Sequence, residues 1–344
     1  MLHSRLRSAP RRNPSKTTTT KPAALAPDFH DADWSSDVEE SPEDLFGIFL
    51  PYLFPDDARS FHGDPGQYLL YSSPRYGELE IMIPSYPGQT GKKSEEVAIG
   101  LEEKEGGSQT KEERQLFAHF LWSAGMVVAE GIENANCQAT ENDSAAQKEA
   151  REIWSVYGET VMELGAGAAL PSLICALANA SLVVATDHPS SPALTGAIEF
   201  NVRQNLLKRT SQQTAVSIQP HEWGTVTDSF SRSHRGTFTR IIAADCFWMR
   251  SQHENLVRTM QWFLAPAGRV WCVAGFHTGR AIVSGFFDTA LENGFEIERI
   301  FERDLISRDE GGGEIRREWV PLREGENPNN RQRWCVIAVL KRRK

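Results

Sequence analysis

The stretch Val161-Met162-Glu163-Leu164-Gly165-Ala166-Gly167-Ala168-Ala169-Leu170-Pro171 joins an apolar run, two closely spaced glycines and a helix start. Glycines there let the backbone turn sharply and let a ligand approach it closely. A helix start leaves backbone N–H groups without intrahelical partners. The next apolar run ends at Asp187, 22 positions after Gly165. An acid at that spacing is placed to accept hydrogen bonds from a ribose diol, in NAD and S-adenosylmethionine alike. Leu170 stands where the dinucleotide fingerprint carries a third glycine, which allows close packing beside a pyrophosphate. Glu163 sits two residues before Gly165, and a carboxylate there suits a cationic amino or sulfonium group better than a pyrophosphate. Both details favour S-adenosylmethionine. Each residue also has a plainer reading, since glycine turns end many strands and acids cap many helices.

The elements that position these residues follow from periodicity. Short apolar runs at 161–164, 182–186, 215–218, 240–244, 269–274, 295–301 and 334–340 alternate with helical patterns at 170–179, 192–208, 252–263 and 279–293. Such alternation predicts an α/β fold, a doubly wound, mostly parallel seven-stranded sheet with helices on both faces. The last two runs have no helix between them and read as an antiparallel hairpin closing one edge, joined by a polar linker at 307–333. Upstream, 67–71 and 79–83 are strand-like around Ser73-Pro74-Arg75 and predict an N-terminal β-hairpin. A helical spacing spans 115–133. Residues 87–114 and 134–150 are polar and read as insertions in a domain covering 45–344, with structure beginning near Leu45.

Residues 1–27 hold no acid, and eight acids follow within 28–44. With few apolar residues, 1–44 reads as a disordered tail. The chain has 37 Lys and Arg against 46 Asp and Glu, a net charge of −9. That balance argues against nucleic-acid binding, which needs clustered cations. No apolar run reaches the ~18 residues of a membrane span, and no membrane partner is expected. Five cysteines without a Cys-x-x-Cys pair argue against a zinc site and for a reducing, cytoplasmic setting, with Lys341-Arg342-Arg343-Lys344 leaving a nuclear one open.

Taken in order and spacing, several stretches resemble one family. They are Leu116-Phe117-Ala118-His119-Phe120-Leu121-Trp122-Ser123-Ala124-Gly125, Glu163 through Ser172, Val184-Ala185-Thr186-Asp187-His188-Pro189, Glu222-Trp223-Gly224 and Ala244-Asp245. Over roughly residues 66–344 the chain resembles the seven-β-strand, class I S-adenosylmethionine-dependent methyltransferases. More narrowly it is similar to the fungal nicotinamide N-methyltransferase-like group, related to elongation-factor and other protein-lysine methyltransferases of the METTL21-like type. The resemblance implies that Trp122 lines the cofactor pocket and that Glu163, Gly165 and Gly167 hold the methionine part. It implies that Asp187 takes the ribose, that Trp223 borders the adenine, and that Asp245 meets both cofactor and accepting amine. The family's stretch after that acid is replaced here by Cys246-Phe247-Trp248. His253 and His277 fall where the family places histidines.

The resemblance implies methyl transfer by in-line displacement, with no metal required. Alignment is the protein's main contribution. A lysine amine must first lose its proton, for which Asp245 is the candidate base, whereas a pyridine nitrogen needs none. Phe247, Trp248 and Phe276 are candidate walls for a cationic product. The implied acceptor is a protein lysine or N-terminal amine, a translation factor among the candidates, with nicotinamide or another small-molecule amine as the alternative. A nicotinamide-dependent oxidoreductase and a non-catalytic binding protein are the remaining readings.

Overall fold

The seven apolar runs become neighbouring strands of one sheet in the computed structural model, which describes residues 2–9, 61–85, 120–136, 143–207, 214–311 and 313–344. These all fall in one unit made of Met1–Ala9 and Ala58–Lys344. The strands are β1 (Leu6–Ser8), β2 (Phe61–His62), β3 (Tyr68–Ser73), β4 (Gly77–Met82), β5 (Leu121–Trp122), β6 (Thr160–Leu164), β7 (Leu182–Asp187), β8 (Val216–Pro220), β9 (Phe238–Ala244), β10 (Leu264–Gly275), β11 (Phe295–Arg308), β12 (Glu314–Arg317) and β13 (Trp334–Arg342). The helices are α1 (Ser123–Ala135), α2 (Ala145–Trp154), α3 (Leu170–Leu177), α4 (Ile198–Val202), α5 (Ser229–Ser233), α6 (His253–Phe263), α7 (Arg280–Glu292) and α8 (Pro328–Gln332).

The large sheet runs β8-β7-β6-β9-β10-β13-β11-β12. β8, β7, β6, β9 and β10 are mutually parallel, and β13 lies antiparallel between β10 and β11. Alternate strand residues feed two cores, as a sheet covered on both faces requires. Val161, Val183, Ile242 and Val273 pack with α1 and α3 on one face. Met162, Leu164, Ile241 and Cys272 pack with α6 and α7 on the other. Chain order reverses between β6 and β9, and at such a switch point the carboxyl ends of the strands open a crevice for ligands.

Four differences from the sequence reading have physical causes. Residues 2–9 are folded, because Leu2 is fully buried and β1 pairs with β3, making the predicted β3–β4 hairpin three-stranded. The rest of the expected tail, the expected start near Leu45 and the insertion at 87–114 lie outside the described residues. Within 134–150, α2 begins at Ala145, where Ser144 accepts the Gln147 N–H and the Gln147 side chain accepts the Ser144 N–H. The helix expected over 115–133 begins at Ser123, since Leu121 and Trp122 pair with His62 and Phe61. The predicted linker 307–333 supplies an eighth strand, β12, so the β11–β13 pair does not itself form the edge. Glu302 and Glu326 clamp that segment between Arg280 and Arg317.

Candidate cofactor site

A cavity opens at the carboxyl ends of β6, β7, β8 and β9, lined by Trp122, Gly165, Gly167, Asp187, Trp223 and Asp245 among others. Six of the seven site residues expected from sequence therefore share one wall. Gly165 and Gly167 both adopt left-handed backbone, at φ +60° and +52°. A Cβ on Gly165 would sit 3.2 Å from Cys246 Sγ and 3.4 Å from Trp223 Cζ2, a tight fit added to a backbone conformation that favours glycine.

Asp187 ties the turn to β7. Its Oδ2 accepts the Gly167 N–H at 2.8 Å and its Oδ1 accepts the His188 N–H at 2.8 Å. The Ser191 side chain also bonds this carboxylate, and a carboxylate has about four lone-pair sites, so about one is left to accept from a ligand hydroxyl. The Asp187 carbonyl accepts the His221 N–H, which brings the end of β8 and Trp223 alongside.

Glu163, the seventh, stands behind the wall. It is 2% exposed, and its Oε2 accepts the Ser172 N–H at 3.0 Å and the Ser172 hydroxyl at 2.5 Å. Burial pushes its carboxyl up to about 8, opposed in part by the Ser172 bonds. Through Oε2 it fixes the first turn of α3.

Asp245 follows β9 in left-handed backbone, φ +53°. Its Oδ1 accepts the Gly275 N–H at 2.9 Å, and the carboxylate also takes the Ala124 N–H at the start of α1, whose N-cap Trp122 makes no side-chain capping bond. Burial raises this carboxyl to about 7, against the pull of those two N–H groups. Trp122 stacks on His277 at 4.5 Å, and His277 Nδ1 lies 3.9 Å from Asp245 Oδ1. Burial lowers the His277 imidazole to about 4, so it is neutral at physiological pH.

The aromatic walls suggested by the sequence divide. Trp248 lines the cavity. Phe247 stacks on Phe286 at 3.9 Å in the core, and Phe276 lies under Arg280 and Trp319. His253 is buried at the start of α6, bonded to the Phe247 carbonyl. The sequence reading gave no site role to Phe120 and Glu222, which it quoted only within matching stretches, or to Ser190, Ser191, His221 and Met249, all on the cavity wall. Most follow strand ends, and that position in a parallel sheet is the signal that finds them.

A lysine methyltransferase family model matches residues 106–293, more than half of the chain. The chain belongs to this family. The methyltransferase is 28% identical over 293 residues to "Protein N-terminal and lysine N-methyltransferase EFM7" of Eremothecium gossypii, covering 82% of this chain and 95% of that one. It is 30% identical over 212 residues to the protein of the same name from Schizosaccharomyces pombe, covering 58% and 74%. With the counterpart in Gibberella zeae it shares 30% over 202 residues, covering 55% and 69%. The enzyme is an S-adenosylmethionine-dependent methyltransferase. Its cavity suits that cofactor in three respects: a side-chain-free stretch at Gly165 and Gly167, a carboxylate at Asp187 on the cavity wall, and indole surface at Trp122 and Trp223. Among the described residues no cluster of His, Cys, Asp or Glu could hold a metal ion, and no helix is long and apolar enough to cross a membrane.

Proposed function

We propose that the methyltransferase transfers methyl to a protein amine, N-terminal or lysine, at the cavity just described. In this reading Gly165 and Gly167 seat the methionine part of S-adenosylmethionine, Asp187 takes the ribose diol, and Trp122 and Trp223 border the nucleoside. Glu163 contributes from behind by holding α3. The bound cofactor supplies an electrophilic methyl group on a sulfonium.

The observation that carries the acceptor class is Asp245, a carboxyl on the cavity wall raised to about 7. Above that value it is ionised and accepts a proton. An α-ammonium near ~8 gives one up against a gap of about one unit, whereas a lysine ammonium near ~10.4 must first be desolvated. A base matched to the acid it deprotonates is the efficient arrangement. A pyridine nitrogen would give Asp245 nothing to remove. The relatives' names, which specify N-terminal and lysine amines of protein, support the same class. Four free, buried thiols at Cys175, Cys246, Cys272 and Cys335 support a reducing, cytosolic setting.

The test is labelled-methyl transfer into three acceptors: peptides with free N-termini, the same peptides N-acetylated, and nicotinamide. We expect label in the free peptides, less in the acetylated ones and none in nicotinamide. Label in nicotinamide alone would overturn the proposal.

A further inference from the structure

The glycine turn is held from a side that the cavity does not show. Asn201 of α4 is fully buried. Its Oδ1 accepts the Met82 N–H at 2.7 Å, and its Nδ2 donates to the Met82 carbonyl at 3.1 Å and to the Ala168 carbonyl at 2.9 Å. A primary amide has two N–H groups and one oxygen, and this one engages all three. It works as one extra peptide unit along β4, with its remaining hydrogen bond aimed at the turn.

That bond matters because of what surrounds Ala168. In a helix beginning at this point, the Ala168 carbonyl would accept the N–H of Ser172, four residues on. Here Ser172 gives its N–H to Glu163, so the carbonyl depends on Asn201. The next residue, Ala169, has φ +56°, a left-handed conformation that a residue with a Cβ resists. The preceding residue, Gly167, carries the N–H that meets Asp187. Without Asn201 the buried Ala168 carbonyl has no partner, and only the Ala169 N–H, given to the Ala166 carbonyl, still holds that peptide beside the turn that carries the Gly167 N–H. The π-turns at Ala193–Ala197 and Arg203–Leu207 flank α4, a kind of irregularity that recurs near functional sites.

We infer that Asn201 is a positioning residue for the cofactor, fixing the glycine turn through the Ala168 carbonyl while anchoring it to β4. The inference rests on the reading of the turn as the S-adenosylmethionine site.

Asn205 provides the control. It makes the same kind of bonds one turn on, accepting the Glu80 N–H at 2.9 Å and donating to the Glu80 carbonyl at 2.8 Å. Its second N–H goes to the Asn201 carbonyl and not to the turn. Calorimetry with S-adenosylmethionine on the full chain separates the two. Asn201→Ala weakens binding about tenfold, the loss expected when a buried carbonyl is left unsatisfied. KM for S-adenosylmethionine rises by a similar factor, and KM for the peptide stays unchanged. Asn205→Ala loosens the same hairpin but keeps the affinity within about twofold. Asn201→Gln, with its amide displaced by one methylene, gives an intermediate loss and serves if the alanine variant does not fold. Asp187→Ala reports on the site itself. If it loses affinity while folded Asn201 variants bind normally, the positioning role is wrong and the site stands. If Asn205→Ala weakens binding as much as Asn201→Ala, the effect is general loosening and the role is equally wrong. If Asp187→Ala and the Asn201 variants all bind as the parent does, the site reading itself falls.

Discussion

Asp245 accepts the backbone N–H of Gly275 at 2.9 Å, so the residue that follows β9 is fixed by the residue that ends β10. Together with the Ala124 N–H, this pins a buried carboxylate at the mouth of the parallel strands. The position is costly for a charge, and burial accordingly raises the carboxyl to about 7.

The first prediction is a pH profile. For a carboxylate that must be ionised to take the amine proton, kcat/KM falls as pH drops through about 7. Asp245→Asn keeps an oxygen for the Gly275 N–H, removes that limb and lowers kcat/KM roughly 100- to 1,000-fold. A limb that survives the substitution assigns the proton transfer elsewhere.

The second concerns the cofactor seat. Asp187→Ala removes a charged acceptor from a ribose diol, a loss of about 1.5–3 kcal/mol per hydrogen bond and hence at least tenfold in Kd. S-adenosylhomocysteine shares the ribose, so its affinity drops by the same factor. Gly165→Ala adds a Cβ against Cys246 and Trp223 at φ +60°, and weakens both ligands further. Equal calorimetric affinities for parent and both variants would remove the glycine turn from the binding account.

Much of this architecture was legible because its signals are local. The seven apolar runs and the helices between them, the hairpin around Ser73-Pro74-Arg75, and the glycine turn beside Asp187 all follow from short-range periodicity and spacing. β1 was not legible, since Leu6 pairs with Tyr71 across a long stretch of chain and three residues carry no period. α2 was hidden by its polarity, although Ser144 and Gln147 spell out its capping box. Side-chain direction was the other gap. Phe247 and Trp248 are adjacent, yet one packs in the core and the other lines the cavity. Spacing placed Glu163 at the site but could not show that Ser172 would claim its carboxylate.

That Ser172 contact yields a stability prediction. The Glu163 carboxyl is raised from 4.5 to about 8, chiefly by burial. A folded-state value above the unfolded one favours the fold when protonated, so this contribution is full below about 4.5 and is lost as pH rises through about 8. The shift sets an upper bound of roughly 5 kcal/mol. Glu163→Gln keeps an acceptor for Ser172 and carries no proton to lose. Its melting temperature should match the parent's at pH 5 and exceed it by several degrees at pH 9. A parent that stays the more stable at both pH values shows the carboxylate to be better accommodated than its burial implies.

The last prediction tests whether the Arg5 side chain, just ahead of β1, ties the N-terminal segment to α1. Arg5 Nη2 lies 2.9 Å from Glu130 Oε1, and its Nη1 lies 2.5 Å from Glu133 Oε2 and 3.0 Å from the Tyr71 hydroxyl. Both carboxylates project from α1, the helix that Asp245 caps. They fare differently. Burial raises both, but at Glu130 it is outweighed by Arg303, Arg5 and Arg308, leaving that carboxyl below its ordinary range. At Glu133 burial wins over Ser73 and Arg5, and the carboxyl stays raised. Removing Arg5 therefore strands Glu133. Breaking one partner from a buried pair costs about 3–5 kcal/mol, so Arg5→Ala should lower the denaturation midpoint clearly at pH 8. The deficit narrows at pH 5, where Glu133 can take up a proton, and Arg5→Ala combined with Glu133→Gln recovers a good part of the loss at pH 8. An Arg5→Ala protein that unfolds at the parent's denaturant concentration would mean that the Arg5 side chain, just ahead of β1, contributes nothing to holding α1.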